Sequence, residues 1–136
     1  MSSDIYILSH QDDEIAILKS IKNTIVSKRN IFIYFLTNGN INDYENIELI
    51  NKREKESKKV LNELGVNSEN IEFLGRKLKT KSYTLLNKLN ETYEILFHKI
   101  NKLQDDVTIY THAWEGGNID HDSTFIVSLK LYREIS

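Results

Sequence analysis

Four short runs of apolar, β-branched and aromatic residues constrain this chain more than any other feature. They are DIYILS (4–9), IFIYFLT (31–37), NIEFLG (70–75) and VTIYTH (107–112). The first two are nearly continuous in apolar character, the pattern of a strand covered on both faces. Between the runs lie stretches with a helical period. From Asp13 to about Ser27, Ile15, Ala16, Leu18, Ile21, Ile25 and Val26 recur at roughly helical spacing. A second helix is expected from about Tyr44 to Leu64, with Gly65 in the place of a C-cap glycine. Residues 82–103 put Leu85, Leu89, Tyr93, Leu96 and Ile100 on one stripe, and a last helix is expected from Asp120 or His121 to Tyr132. Strand and helix alternate throughout. The pattern predicts an α/β fold, a Rossmann-like three-layer sandwich with a mostly parallel sheet and right-handed crossovers. At 136 residues, a single domain over 1–136 is expected.

Composition narrows the function classes. A formal net charge of -2 and a pI near 6.1 give no global field for nucleic acid. There is no cysteine, so disulfides and thiolate metal sites are excluded, and any metal must be held by His, Asp or Glu. No basic segment leads into an apolar stretch at the N-terminus, and the apolar runs are far short of the ~20 residues of a membrane span. A cytoplasmic location is the default expectation.

In a parallel sheet of this kind, ligands sit beyond the carboxyl ends of the strands. Those ends carry SHQDDE after the first run, TNGN after the second and THAWEGGNIDHD after the fourth. A dinucleotide site needs glycines in the first strand–helix turn, and this turn has none, while its two aspartates would repel a phosphate. A metal is the other option. His10 and Asp13, three apart, plus His121 from the last cluster would supply three protein ligands and leave a position open for water, as a catalytic zinc site requires. A carboxylate beside such a site can take a proton from the water, and Asp12 is the natural candidate. Helix capping by Asp12 and Asp13, and by Asp120 and Asp122, explains the same acids equally well.

SHQDDE (9–14) resembles the HPDDE signature of the LmbE-like, or PIG-L, family of zinc-dependent N-deacetylases. TNG (37–39) is similar to the family's T-(N/D)-G after the second strand. REKE (53–56) followed by LNELGV resembles its R-x-x-E helix ending in leucine–glycine. GGNIDHDSTF (116–125) resembles its H-x-D-H region with flanking glycines. Four motifs in register cover nearly the whole chain. The resemblance implies His10, Asp13 and His121 as ligands of Zn2+ or another divalent metal, and Asp12 as the general base. It implies Asp120 as a group that orients His10 or His121. Arg53 aligns with an arginine near the family's site that is often tied to substrate binding or active-site order; a solvated charge or an ion pair with Glu56 is the competing reading. Asn38 and Gly39 would shape the floor of the cleft.

The departures from the pattern bear on function. Gln11 replaces the signature's proline, whose role is to stiffen the turn. Asn118 stands where the family has the first histidine of H-x-D-H. Asparagine can donate a hydrogen bond to an oxyanion but cannot deliver a proton near neutral pH. His112 either takes over that catalytic role or is a rim histidine without one. Trp114 and Glu115 are candidates for binding a sugar face and its hydroxyls, and Trp114 is equally a packing candidate. The basic GRKLKT loop, with Arg76, Lys77, Lys79 and Lys81, is either a hint of an anionic substrate or a solvated face. Family members usually continue with further strands and helices, so the chain is expected to be a compact version or a piece of a longer protein. The expected activity is zinc-dependent deacetylation of an N-acetylated sugar or related N-acyl amine, with homo-oligomerisation left open. The alternative is a non-catalytic or incomplete member that binds metal and ligand, or a subunit of a larger assembly.

Overall fold

The computed structural model describes residues 1–42 and 44–135. The four apolar runs form β1 (Ser2–Leu8), β2 (Asn30–Phe35), β3 (Ile71–Phe73) and β4 (Asp106–Thr111). All pair in parallel, in the spatial order β3-β2-β1-β4. The intervening segments form α1 (Leu18–Val26), α2 (Ile47–Leu64), α3 (Leu74–Lys77), α4 (Leu89–Asn101) and α5 (Ile119–Ile135).

Successive side chains of a strand point to opposite faces, so each apolar run feeds two cores. Ile5, Ile7 and Tyr34 face one side and pack with Tyr93, Leu96 and Ile100 of α4 and Val127 and Leu131 of α5. Tyr6, Leu8, Ile33 and Phe35 face the other and pack with Ile21 of α1 and Leu61 of α2. Helices therefore cover both faces of the sheet, giving the expected three layers. Among the described residues, no helix is long and apolar enough to cross a membrane.

Several boundaries differ from the sequence reading, and each difference has a local cause. The first helix starts not at Asp13 but after a 3₁₀ turn, Asp13–Ile17, which follows a left-handed Asp12. The second starts at Ile47 rather than Tyr44, because the Asn46 side chain caps the Leu49 amide at 3.1 Å. β3 is only three residues long; at Leu74 the chain turns into α3. The expected helix over 82–103 becomes regular only at Leu89, after a 3₁₀ turn at Leu85–Lys88. Upstream of it, the Tyr83 and Leu85 amides are turned toward the carboxylate of Asp120.

Strand order fixes where function can sit. From β1 the chain steps through β2 to β3 on one side, then crosses to β4 on the other. The carboxyl ends of β1 and β4 thus flank the point where the winding reverses, and the connections leaving them diverge to open a crevice. The neighbouring floor is set by a close approach. The Asn38 amide donates to the Thr80 carbonyl at 2.8 Å, and Gly75 lies so near that a Cβ there would collide with the backbone of Thr37 and Asn38. Gly75→Ala should therefore lower stability in urea unfolding by about 1–3 kcal/mol, as overpacking against a backbone that cannot yield does. An unchanged midpoint would mean that the two segments are not clamped.

Candidate metal centre

His10, Asp13 and His121 meet in that crevice. One ligand-capable atom from each lies within 4.8 Å of the others. His10 and Asp13 belong to the turn after β1; the His10 amide donates to Asp13 Oδ2 at 2.7 Å, which fixes the carboxylate relative to the ring. His121 comes from the first turn of α5.

Proton placement follows from the partners. Asp120 is fully buried, and its carboxylate accepts from the Tyr83 amide at 2.6 Å and the Leu85 amide at 3.3 Å. Oδ2 also lies 2.7 Å from His10 Nε2. A carboxylate has no proton to offer, so His10 donates from Nε2 and keeps its lone pair on Nδ1. That Nδ1 lies 3.7 Å from Asp13 Oδ2. His121 is arranged the opposite way round. Its Nδ1 is 3.0 Å from Glu115 Oε1, and its Nε2 is 3.7 Å from Asp13 Oδ1. Two imidazole lone pairs and one carboxylate therefore converge. Two borderline nitrogen donors and one anionic oxygen at such spacing suit a divalent ion of the zinc class.

His112, at the end of β4, stacks on His121 with ring centroids 3.9 Å apart and planes 9° off parallel. Its Nε2 is 3.1 Å from the Ser9 amide and 3.2 Å from Asp13 Oδ2. One nitrogen cannot do both: protonated it donates to Asp13, unprotonated it accepts from Ser9. A cation that takes up the charge of Asp13 favours the second form.

Asp12 has a left-handed backbone, φ 83°, and an exposed carboxylate 3.4 Å from Arg53 Nη2. Arg53 does not pair with Glu56. It reaches back to the Gly39 carbonyl at 2.9 Å and the Gln11 carbonyl at 3.2 Å, clamping the loops after β1 and β2 together. Gly39, with φ +77°, leaves room for this, since a Cβ would meet Gln11 Oε1 and the Arg53 guanidinium. The side chain of Asn38 is buried and turned to its own loop, accepting from the Asn40 amide at 2.9 Å, while its carbonyl accepts from Gln11 Nε2.

Asn118 caps α5: its Oδ1 accepts from the His121 amide at 3.2 Å, which leaves its Nδ2 as a donor. Trp114 is largely exposed and meets Phe125 edge-on. In the basic loop, Arg76 is paired with Glu54 at 2.6 Å, so that charge serves the α2–α3 contact.

Three supporting residues have no site role in the sequence reading, which takes Asp122 only as a capping candidate. Glu14 is buried, and burial pushes its carboxyl above the ordinary value against the pull of the Ser57 hydroxyl. That hydroxyl also accepts the Asp12 amide at 3.2 Å. Asp122 accepts the Glu115 and Gly116 amides at 2.8 and 3.0 Å, folding the loop over the start of α5. Glu14 and Asp122 stand inside the quoted motifs, but only depth of burial distinguishes them. Ser57 carries no sequence signal.

A parallel α/β sandwich with a two-histidine, one-carboxylate cluster at its switch point defines the class: Rossmann-like proteins with a candidate metal centre. The model of the PIG-L family, described as GlcNAc-PI de-N-acetylase, matches residues 5–131, and the chain belongs to that family. Solved structures with the same fold include N,N'-diacetylchitobiose deacetylase from Pyrococcus horikoshii (TM-score 0.76, 19% identity, 96% of this chain and 49% of that one). A deacetylase of the teicoplanin biosynthesis pathway is also similar (TM-score 0.73, 16% identity, 97% and 63%). So is a 4-carboxy-2-hydroxymuconate hydratase from Pseudomonas putida KT2440 (TM-score 0.66, 14% identity, 96% and 55%). The chain spans about half to two thirds of the length of these proteins. No curated protein matches it significantly.

Asp120 supports the cluster most directly, and its acid–base behaviour tests that. Burial raises its carboxyl, but the hydrogen bonds from His10 and the Tyr83 and Leu85 amides outweigh it and hold the group below its ordinary value. A lowered folded pKa adds stability above the unfolded value, about 4, and loses it as pH falls through the folded value. Asp120→Ala should cost about 1–3 kcal/mol near neutral pH, as leaving buried donors without their acceptor does. The gap to wild type should narrow in urea melts below about pH 4; a gap independent of pH would contradict the ionised bridge.

Proposed function

We propose that the chain is a divalent-metal-dependent, most simply zinc-dependent, N-deacetylase acting on an N-acetylated sugar or a related N-acyl amine. The observation that carries this reading is the convergence of His10, Asp13 and His121 at the switch point of a family whose model is named for de-N-acetylation. The sugar half of the reading is supported by the family description and by the chitobiose deacetylase likeness.

A bound divalent ion would polarise the amide carbonyl and lower the pKa of its water toward about 7. His10, Asp13 and His121 would hold it. The remaining steps belong to the side chains. Asp12, exposed in the turn after β1 and steered by Arg53, accepts the proton of the attacking water. It then returns that proton to the amine nitrogen as the carbon–nitrogen bond breaks. Asn118 Nδ2 donates a hydrogen bond to the developing oxyanion, and His112, whose Nε2 accepts from the Ser9 amide, is the alternative donor through its other nitrogen. Trp114 offers a flat apolar surface to a sugar ring at the rim. The products are acetate and a free amine.

One observation favours a second reading. Asn118 cannot deliver a proton, and its oxygen is tied to the α5 amide. A member that binds metal and an N-acyl ligand without turning it over accounts for this, and so does a subunit of a larger assembly.

Two measurements separate the readings. Added Zn2+ should raise the thermal midpoint of the wild type, by an amount equivalent to about 2.7 kcal/mol at a hundredfold excess over Kd, and Asp13→Ala should abolish the shift. Absence of any shift in the wild type would remove the metal reading. Acetate release from simple N-acetyl glycosides should then fall by about 10²-fold or more in Asp12→Asn, the range of a general base. Activity undiminished in that variant would defeat the mechanism, and a zinc-loaded wild type that releases no acetate would favour the binding-only reading.

A further inference from the structure

The two histidines of the cluster are supported unequally. His10 leans on Asp120, which is fully buried and shared with two backbone amides. His121 leans on Glu115, whose side chain is 50% exposed. From Glu115 and the loop around it we infer that Glu115 is a positioning residue: it holds the proton of His121 on Nδ1 and so turns the Nε2 lone pair toward Asp13.

The argument runs through three contacts. His121 Nδ1 lies 3.0 Å from Glu115 Oε1, within hydrogen-bond range, and an ionised carboxylate can only accept. His121 Nε2 lies 3.7 Å from Asp13 Oδ1, on the side where the donor atoms converge. An unconstrained neutral imidazole is free to carry its proton on either nitrogen; the hydrogen bond made by one nitrogen decides what the other can do. Glu115 is not a free-swinging side chain either. Its amide and that of Gly116 both donate to Asp122, an almost buried carboxylate one residue beyond His121. Asp122 thus ties the loop to α5, the loop presents Glu115, and Glu115 sets the ring. A carboxylate so engaged serves the imidazole before it serves a sugar hydroxyl.

The unequal burial has a chemical consequence. The carboxylate that supports His10 is sealed from water, whereas the one that supports His121 competes with it. His121 is therefore the arm of the cluster that is easiest to reorient, and divalent-ion affinity depends on a residue that could be mistaken for rim polarity.

The test uses the whole chain and rests only in part on the proposed activity. In metal-free protein at about pH 8, where an ordinary imidazole is neutral, long-range ¹⁵N–¹H NMR of the ring nitrogens reads the tautomer directly. Wild-type His121 should show the Nδ1–H form. Glu115→Ala should convert it to Nε2–H or a mixture, with Glu115→Gln intermediate because its amide oxygen still accepts. Competition for Zn2+ against a chromophoric chelator should then show affinity about tenfold weaker in Glu115→Ala, within the range seen when a ligand loses its supporting carboxylate. An Nε2–H tautomer in the wild type, or a tautomer and zinc affinity unmoved in Glu115→Ala, overturns the inference. Because the tautomer is read without metal or substrate, failure of deacetylation leaves this test intact. Failure of the wild type to bind zinc would refute the affinity half of the inference along with the metal reading, while the NMR still decides what Glu115 does to the ring.

Discussion

A single buried carboxylate, Asp120, ties the site to the fold. Charge is costly to bury, and it persists here only because three donors face it: the His10 ring and the amides of Tyr83 and Leu85. Those donors come from the turn after β1 and from the segment leading into α4, while Asp120 itself stands in the first turn of α5. Three stretches far apart in sequence are thereby locked at one point. The candidate ligand His10 and the scaffold amide of Tyr83 share the same oxygen, so disturbing one disturbs the other.

Around that point the strand order does the rest. β1 is flanked on both sides, by β2 and β4, and the residue just past its end, Ser9, gathers contacts from three directions. Its carbonyl accepts from Thr37, its hydroxyl meets Thr124 of α5, and its amide reaches His112. The turn that follows carries His10, Gln11, Asp12 and Asp13 from this fixed base. Arg53, from the middle of α2, then braces it against the Gly39 carbonyl. Bracing of this kind holds the short acids of the turn in fixed positions.

Much of this was legible in the residues. The four apolar runs announced the parallel strands, and their polar ends announced which edge carries chemistry. His10, Asp13 and His121 could be grouped because the fold class brings those ends together. What escaped were features decided by tertiary contact. The resemblance places Arg53 near the site, but nothing local says that it clamps the Gly39 and Gln11 carbonyls while Lys52 faces Glu56. Glu115 reads as a rim acid until its distance to His121 is known. Arg76 reads as substrate-attracting charge until Glu54 is seen beside it. The late start of regular helix at Leu89 follows from amides claimed by Asp120, which no propensity encodes.

Asp12 has the left-handed backbone that β-carbon-bearing residues adopt only at a cost of roughly 1 kcal/mol or more, and glycine would relieve that strain. The fold would thus tolerate the loss of this side chain more readily than its retention. A library selected for heat resistance alone would drift toward glycine at this position, and only a screen that also scored the proposed chemistry would hold the acid in place.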